Sequence, residues 1–327
     1  MKNSLLPHIE IILPIFNEQE NIPLLVKALD SVALKLKTEV EVSYLFVNDG
    51  SEDKSNEILS GLHQARGDVR VVELIHNFGH AAALSAGIDH FEGDAAIVMD
   101  ADLQDSPEAL IGMVTAWKKG AKTVVIERGE RAEGNRWAFK TFYFLFHKLA
   151  RNLPPINFGT HCLLDKTVVE RLRGLREKNR YFPGLVAYSS GSITPIRFDR
   201  HARANGTSRV GTWGLINLAV TACLSFSNVP VRLVSVFGLL CSLVAAATGL
   251  TIVGIKIFSD RAIPGWASIM TASMLSSGIQ LFCIGLIGEY VARMYEEVKG
   301  RPSYLVQNVL EKKGTKKVAL IPKLNCV

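Results

Sequence analysis

Charge is what the last third of this chain lacks: residues 210–231, 233–255 and 262–288 contain no Asp, Glu, Lys or Arg. Soluble helices rarely run about 23 residues without a charge, which argues against two buried core helices. Cysteine is scarce as well. Five stand at positions 162, 223, 241, 283 and 326, none at C-x-x-C spacing, which excludes a disulfide framework and a zinc site. The opening MKNSLLPHIE has no apolar run ahead of Glu10, so no signal peptide is expected and the first 200 residues should stay where they are made. Internal repeats and low-complexity tracts are absent too.

A bilayer core of about 30 Å needs about 20 apolar residues in a helix. The stretches 233–255 and 262–288 both meet that length and read as two membrane-spanning helices. Thr212, Asn217, Thr221, Ser225, Ser227 and Asn228 make 210–231 too polar to span, and an interfacial amphipathic segment is expected there. The formal charge of +6 gathers around the spans, at Arg200, Arg203, Arg209, Arg232, Arg293, Lys299 and Arg301, with Lys312, Lys313, Lys316 and Lys317 further out. That is the positive-inside pattern rather than a nucleic-acid footprint. The loop KIFSDRAIP should then lie outside, with both ends of the chain inside.

From residue 8 apolar runs alternate with helical stretches: IEIILPI, then a helix near 19–37; VSYLFV, then 53–65; VRVVELI, then 79–91; AAIVM, then 107–118. Such βα winding predicts a mostly parallel sheet covered on both faces. Asn17 with Glu20 reads as a capping box, and Ser106–Pro107 as an N-cap with proline at the first helical position. The expected organisation is an α/β catalytic domain at 1–209, the interfacial segment at 210–231, a two-helix membrane domain at 232–290 and a cytoplasmic basic tail at 291–327, loosely ordered in KKGTKKVALIPKLNCV at 312–327.

Ligands of open α/β sheets bind beyond the carboxyl ends of the strands. The polar clusters FNE, NDGS, HNFGH and DADLQD fall at those ends, so four loops should converge on one edge. Asp100 and Asp102 form an Asp-x-Asp pair whose carboxylates an extended backbone would place on one side, a geometry suited to Mg²⁺ or Mn²⁺ with positions left for substrate phosphates. Gly50 reads as a sharp turn that lets a base or ribose approach the backbone. FGHAAALSAG at 78–87 reads either as close helix–sheet packing or as a wall along which a nucleotide lies flat.

In this order and spacing, LPIFNEQENIPLL, VNDGSEDKS, NFGHAAALSAGI and MDADLQDSPE resemble the inverting family 2 glycosyltransferases, whose nucleotide-sugar-binding domain is of the A type. With LIGEYVARMYEEVKGRPSYLV after the second span, the resemblance extends to their polyprenyl-phosphate branch, the bactoprenol glucosyltransferases and dolichyl-phosphate mannose synthases. It implies transfer of a sugar from a nucleotide diphosphate, UDP the favoured one and UDP-glucose an example, to undecaprenyl phosphate at the cytoplasmic face of a bacterial inner membrane. It implies that Pro14, Asn17 and Glu18 line the nucleotide pocket, that Asp49 holds base or ribose, and that Asp100, Asp102 and Gln104 meet metal and diphosphate. Arg128 and Arg131 are expected as catalytic residues, and Arg136, Arg200, Arg203, Ser208 and Arg209 as substrate contacts, the arginines among them supplying guanidinium forks that suit phosphate oxygens. A homo-oligomer is left open.

Three positions depart from that pattern. Gly159, Thr160, His161 and Cys162 stand where relatives show Gly-Asp-Phe-Arg, so the usual carboxylate is missing; Ser208, Arg209 and Val210 stand for Ser-Lys-Tyr, and His80 for a Lys. EGNRW at 133–137 mimics the Gln-x-x-Arg-Trp signature of processive polysaccharide synthases, but two spans are too few for a pore. Two rival readings are an inactive nucleotide-binding scaffold or transporter subunit, and a transferase with a soluble acceptor. Intact DAD, and spans without ionisable residues, weigh against the first.

Overall fold

A computed structural model describes residues 6–103, 106–127, 158–178, 180–197, positions scattered between 236 and 251, 265–311 and 314–316. The chain begins with four βα units: β1 (His8–Ile15), α1 (Asn21–Leu36), β2 (Glu41–Asn48), α2 (Ser55–Ala65), β3 (Val69–Leu74), α3 (His80–His90), β4 (Ala95–Val98) and α4 (Ala109–Lys118). There follow β5 (Thr123–Glu127), β6 (Phe158–Asp165), α5 (Lys166–Gly174), α6 (Phe182–Ser189) and β7 (Thr194–Arg197). Last come α7 (Trp266–Val298), β8 (Val306–Glu311) and β9 (Gly314–Lys316). The nine strands make one sheet in the order β7-β5-β6-β4-β1-β2-β3-β8-β9. Strands β1 to β4 are parallel to one another, β5 pairs with β7 in parallel, and β6 and β8 enter antiparallel to β4 and β3.

Period-two alternation divides the core. Ile9, Ile11, Leu13 and Ile15 of β1 join a layer with α1, α2 and α4, whereas Ile12 joins the opposite layer under α3, α5 and α6. Full burial of one such side chain contributes about 1.5–3 kcal/mol. Residues 82–88 of α3 are all buried, and a Cβ added at Gly87 would stand 2.3 Å from Ile12 Cγ2. Tight helix–sheet packing is thus what the small residues of this helix serve; its exposed residues are His80 and Ala81 in the first turn and Asp89 near its end.

Helix ends are satisfied from a distance. Arg173 of α5 donates to the carbonyls of Ile88 (2.7 Å) and Phe91 (2.5 Å), closing the C-terminus of α3. Asp165 caps α5 by accepting from Thr167 N–H (3.1 Å) and also holds Trp117 Nε1 (2.9 Å) and Lys122 Nζ (3.1 Å). Two expected caps are not formed. Glu20 makes no side-chain cap for α1. Regular α4 begins at Ala109, so Pro107 sits in the preceding turn rather than at the first helical position.

Among the described residues one helix, α7, is long and apolar enough to cross a membrane, in its part Leu275–Val298, none of which is buried. At about 1.5 Å per residue, 33 residues reach about 50 Å, beyond the roughly 30 Å of a bilayer core. The charge-free part ends at Gly288, and the helix continues through Glu289, Arg293, Glu296 and Glu297. Residues 291–327, read from sequence as a tail, therefore include the end of α7 and two strands. β8 pairs antiparallel with β3, Val72 opposite Val309, and returns the chain to the catalytic sheet.

Candidate active site

Because β1 to β4 run parallel, the loops FNE, NDGS, HNFGH and DADLQD all leave the sheet at one edge, and β5 runs the same way. Pro14 helps open that edge. The β1–β4 ladder stops at Ile12 opposite Val98, and Met99 N–H bonds the Ile12 carbonyl. By strand alternation the missing N–H of Pro14 falls on this β4 side, where no ladder continues, while Pro14 still pairs with Val47 of β2.

The loops after β1 and β2 interlock. Asn17 N–H donates to Ser51 Oγ (3.0 Å), Glu18 N–H to Ser55 Oγ (3.0 Å) and Gln19 N–H to Asp53 Oδ2 (3.2 Å). In return Glu52 N–H donates to Asn17 Oδ1 (2.9 Å) and Lys54 N–H to Gln19 Oε1 (3.1 Å). Asn17 reaches this position at φ 54°, in the left-handed region. Its side chain therefore serves the neighbouring loop and not the α1 N-terminus, where the carbonyl of Glu18 accepts from Asn21 and Ile22 instead. Burial raises the Asp53 carboxyl, but hydrogen bonds from Ser55 and Gln19 outweigh it and hold the group below the usual range. Ser51, Asp53 and Ser55 went unsingled in the sequence; their only signal is the polar density of SEDKS.

The second and third loops are joined by Asp49, which is buried and accepts from Phe78 N–H (2.8 Å) and Gly79 N–H (2.9 Å). Burial pushes its carboxyl up, and these two amides pull against that. Gly50 has φ 63°, and a Cβ there would lie 2.4 Å from the carbonyl carbon of His76. On its Cβ side Gly50 is thus met by the backbone of the next loop, which no side chain there could pass.

The carboxylates of DAD sit just past β4. The strand ends at Val98, and Ala101–Asp102 occupy a turn that Leu103 leaves at φ 57°. A turn, and not the expected extended backbone, carries the pair; a leucine in the left-handed region costs about 1–2 kcal/mol. Both side chains are partly exposed. Asp100 Oδ2 accepts from Thr160 Oγ1 of β6 at 3.0 Å, and Oδ1 lies 3.5 Å from His80 Nε2 at the start of α3. Beside Thr160, His161 and Cys162 are buried, and burial followed by the Asp100 charge pushes the Cys162 thiol far up, which makes it inert.

Residues 10–173 match glycosyl transferase family 2, and 229–294 match the GtrB C-terminal hairpin. The chain belongs to glycosyl transferase family 2. A prophage bactoprenol glucosyl transferase homolog of Escherichia coli K12 is 33% identical over 92% of this chain and 99% of its own. The bactoprenol glucosyl transferase of Shigella phage SfV is 33% identical over 93% and 99%. An uncharacterized glycosyltransferase of Synechocystis is 36% identical over 92% and 95%.

Within this family 2 domain the donor set of the carboxylate edge consists of hard oxygens, which fits Mg²⁺ or Mn²⁺. Among the described residues no group of three His, Cys, Asp or Glu is gathered to hold a metal, so a cation between Asp100 and Asp102 would complete its shell with water and substrate oxygens. Pro14, Asn17, Glu18, Asp49, Asp100 and Asp102 stand at the one edge. Gln104, Arg128, Arg131, Arg136, Arg200, Arg203, Ser208 and Arg209, with the segment 210–231, lie outside the described residues.

Proposed function

We propose that this chain moves a sugar from a UDP-linked donor, such as UDP-glucose, to the phosphate of a polyprenyl carrier with inversion, at the cytoplasmic face of a bacterial inner membrane. The observation that carries the reading is likeness to bactoprenol glucosyl transferases over 99% of their length, through domain and hairpin alike. The fold supports it by joining the carboxylate edge to a membrane-sized helix.

Parity supports two spans rather than one. β7 and β8 belong to one sheet and so to one side of a membrane, with α7 between them. If α7 crosses once, the chain between 198 and 265 must cross an odd number of times, and 233–255 is the uncharged stretch of sufficient length.

In the reaction an oxygen of the lipid phosphate attacks the anomeric carbon, and the bond from that carbon to the nucleotide diphosphate breaks, its electron pair leaving with the diphosphate. Asp100 and Asp102 would hold the divalent cation, which neutralises charge on the departing diphosphate. Pro14, Asn17, Glu18 and Asp49 shape the pocket for the nucleoside, Asp49 by fixing the Phe78–Gly79 amides. Arg128, next in sequence after β5, and Arg131 position the lipid phosphate. A phosphate monoester, with a second pKa of about 6, arrives ionised and needs no base, so Thr160 in place of a carboxylate is compatible with turnover.

The test incubates membranes carrying the full chain with radiolabelled UDP-glucose and undecaprenyl phosphate, followed by organic extraction. Label should enter the organic phase and vanish with EDTA or with Asp102→Asn. Label left wholly in water, or moved to protein, would favour an inactive scaffold or a soluble acceptor.

A further inference from the structure

We propose that Thr160 is a positioning residue that sets the orientation of the Asp100 carboxylate for the donor cation, a role resting on the metal site proposed above. Register supplies the first reason. β4 and β6 pair antiparallel with Val98 opposite Cys162, and two further steps along that register put Asp100 opposite Thr160, although the ladder has ended. The two side chains are cross-strand neighbours, and the hydrogen bond of 3.0 Å is the form their contact takes.

Rigidity supplies the second. Thr160 is β-branched, with a stiff χ1, and it stands on β6, which pairs with β4 as far as Cys162 and with β5 on both sides of a register shift, at Cys162 and at Phe158. Asp100 begins a turn and has no such support from its own backbone. A hydroxyl facing a carboxylate can only donate, so it engages one oxygen, Oδ2, and leaves Oδ1, a buried atom, 3.5 Å from His80 Nε2. Without it Oδ2 loses its hydrogen bond from β6, and the cation meets a broader spread of carboxylate orientations.

The experiment is a Mn²⁺ titration followed by electron paramagnetic resonance on the full-length protein in detergent, with donor and lipid-phosphate kinetics in parallel. Thr160→Val keeps the shape and deletes the donor; it should raise the Mn²⁺ dissociation constant about tenfold and the donor KM with it, leaving the lipid-phosphate KM in place. Thr160→Ser should restore Mn²⁺ affinity to within about twofold, since a serine hydroxyl reaches the same oxygen. Wild-type Mn²⁺ affinity in T160V, or T160S as weak as T160V at equal thermal stability, would overturn the proposal. Asp100→Asn separates the levels: if it leaves Mn²⁺ affinity unchanged the metal site itself is wrong, and if it abolishes binding while T160V does nothing only the role of Thr160 falls.

Discussion

Glu297, in the last turn of α7, accepts a hydrogen bond at 2.7 Å from the backbone N–H of Lys178 in the loop after α5. The membrane-sized helix is thus fastened to the catalytic domain, and Tyr304 adds a second tie by donating to Asp89 Oδ2 at 2.7 Å. Burial, and then the Glu297 charge, hold Glu177 above the usual carboxylate range. A group raised in this way favours the fold most at low pH and loses its contribution as pH rises through the raised value. Glu297→Gln keeps an acceptor for Lys178 and removes the repulsion, so at neutral pH it should be at least as stable as the parent. Glu297→Ala loses the acceptor and should cost about 0.5–1.5 kcal/mol. Thermal unfolding in detergent compares the two.

Gly50→Ala should disable the pocket without touching the carboxylates. Its Cβ would meet backbone atoms of His76 and Asn77 at 2.4–2.6 Å, which cannot step aside as a side chain can, and φ 63° adds strain. The loops after β2 and β3 must part, so the donor KM should rise by about tenfold or more while the lipid-phosphate KM stays near its parent value. Steady-state kinetics with each substrate varied in turn gives the answer.

Acid should reveal Asp165. Burial tends to raise its carboxyl, but bonds from Thr167, Trp117 and Lys122 outweigh that and lower it to about 2. A depressed acid stabilises the fold above its unfolded value near 3.9, by about 2 kcal/mol here, and the gain is lost as pH falls toward 2. Asp165→Asn should therefore be destabilised at neutral pH, and its deficit should shrink between about pH 4 and pH 2. A deficit independent of pH in denaturation curves would mean that packing around Trp117, not charge, is what the substitution removes.

Acceptor chemistry separates the arginines from Thr160. Arg128→Ala and Arg131→Ala should each raise the lipid-phosphate KM about tenfold, with the donor KM little changed. Thr160→Ala, at saturating metal and donor, should retain a substantial part of kcat, and the rate should rise with the second ionisation of the phosphate near pH 6. A profile governed by a group far from that value would point to a base on the enzyme.

Local pattern carried the first half of the fold well. The runs IEIILPI, VSYLFV, VRVVELI and AAIVM became β1 to β4 to within a residue or so at each end, because alternation and turn chemistry are local. The Asn17–Glu20 pattern misled because an asparagine ahead of a helix can serve any nearby amide, and the nearest proved to be Glu52 N–H on another loop. β8 stayed hidden for a related reason: VQNVLE carries little strand signal by itself, and its partner strand is remote, Asn308 meeting Glu73 at a separation of 235 residues. At the site, DAD named its carboxylates, but that Thr160 faces Asp100 depends on a β4–β6 register that no short motif encodes.

The return of β8 also fixes an order of assembly on the ribosome. β3 is made early, yet its outer edge has no partner until residues 306–311 emerge, after the whole uncharged region has left the exit tunnel. An open strand edge invites pairing with other chains. The β3 edge therefore stays open until α7 and everything before it has been made, and β8 closes the sheet last.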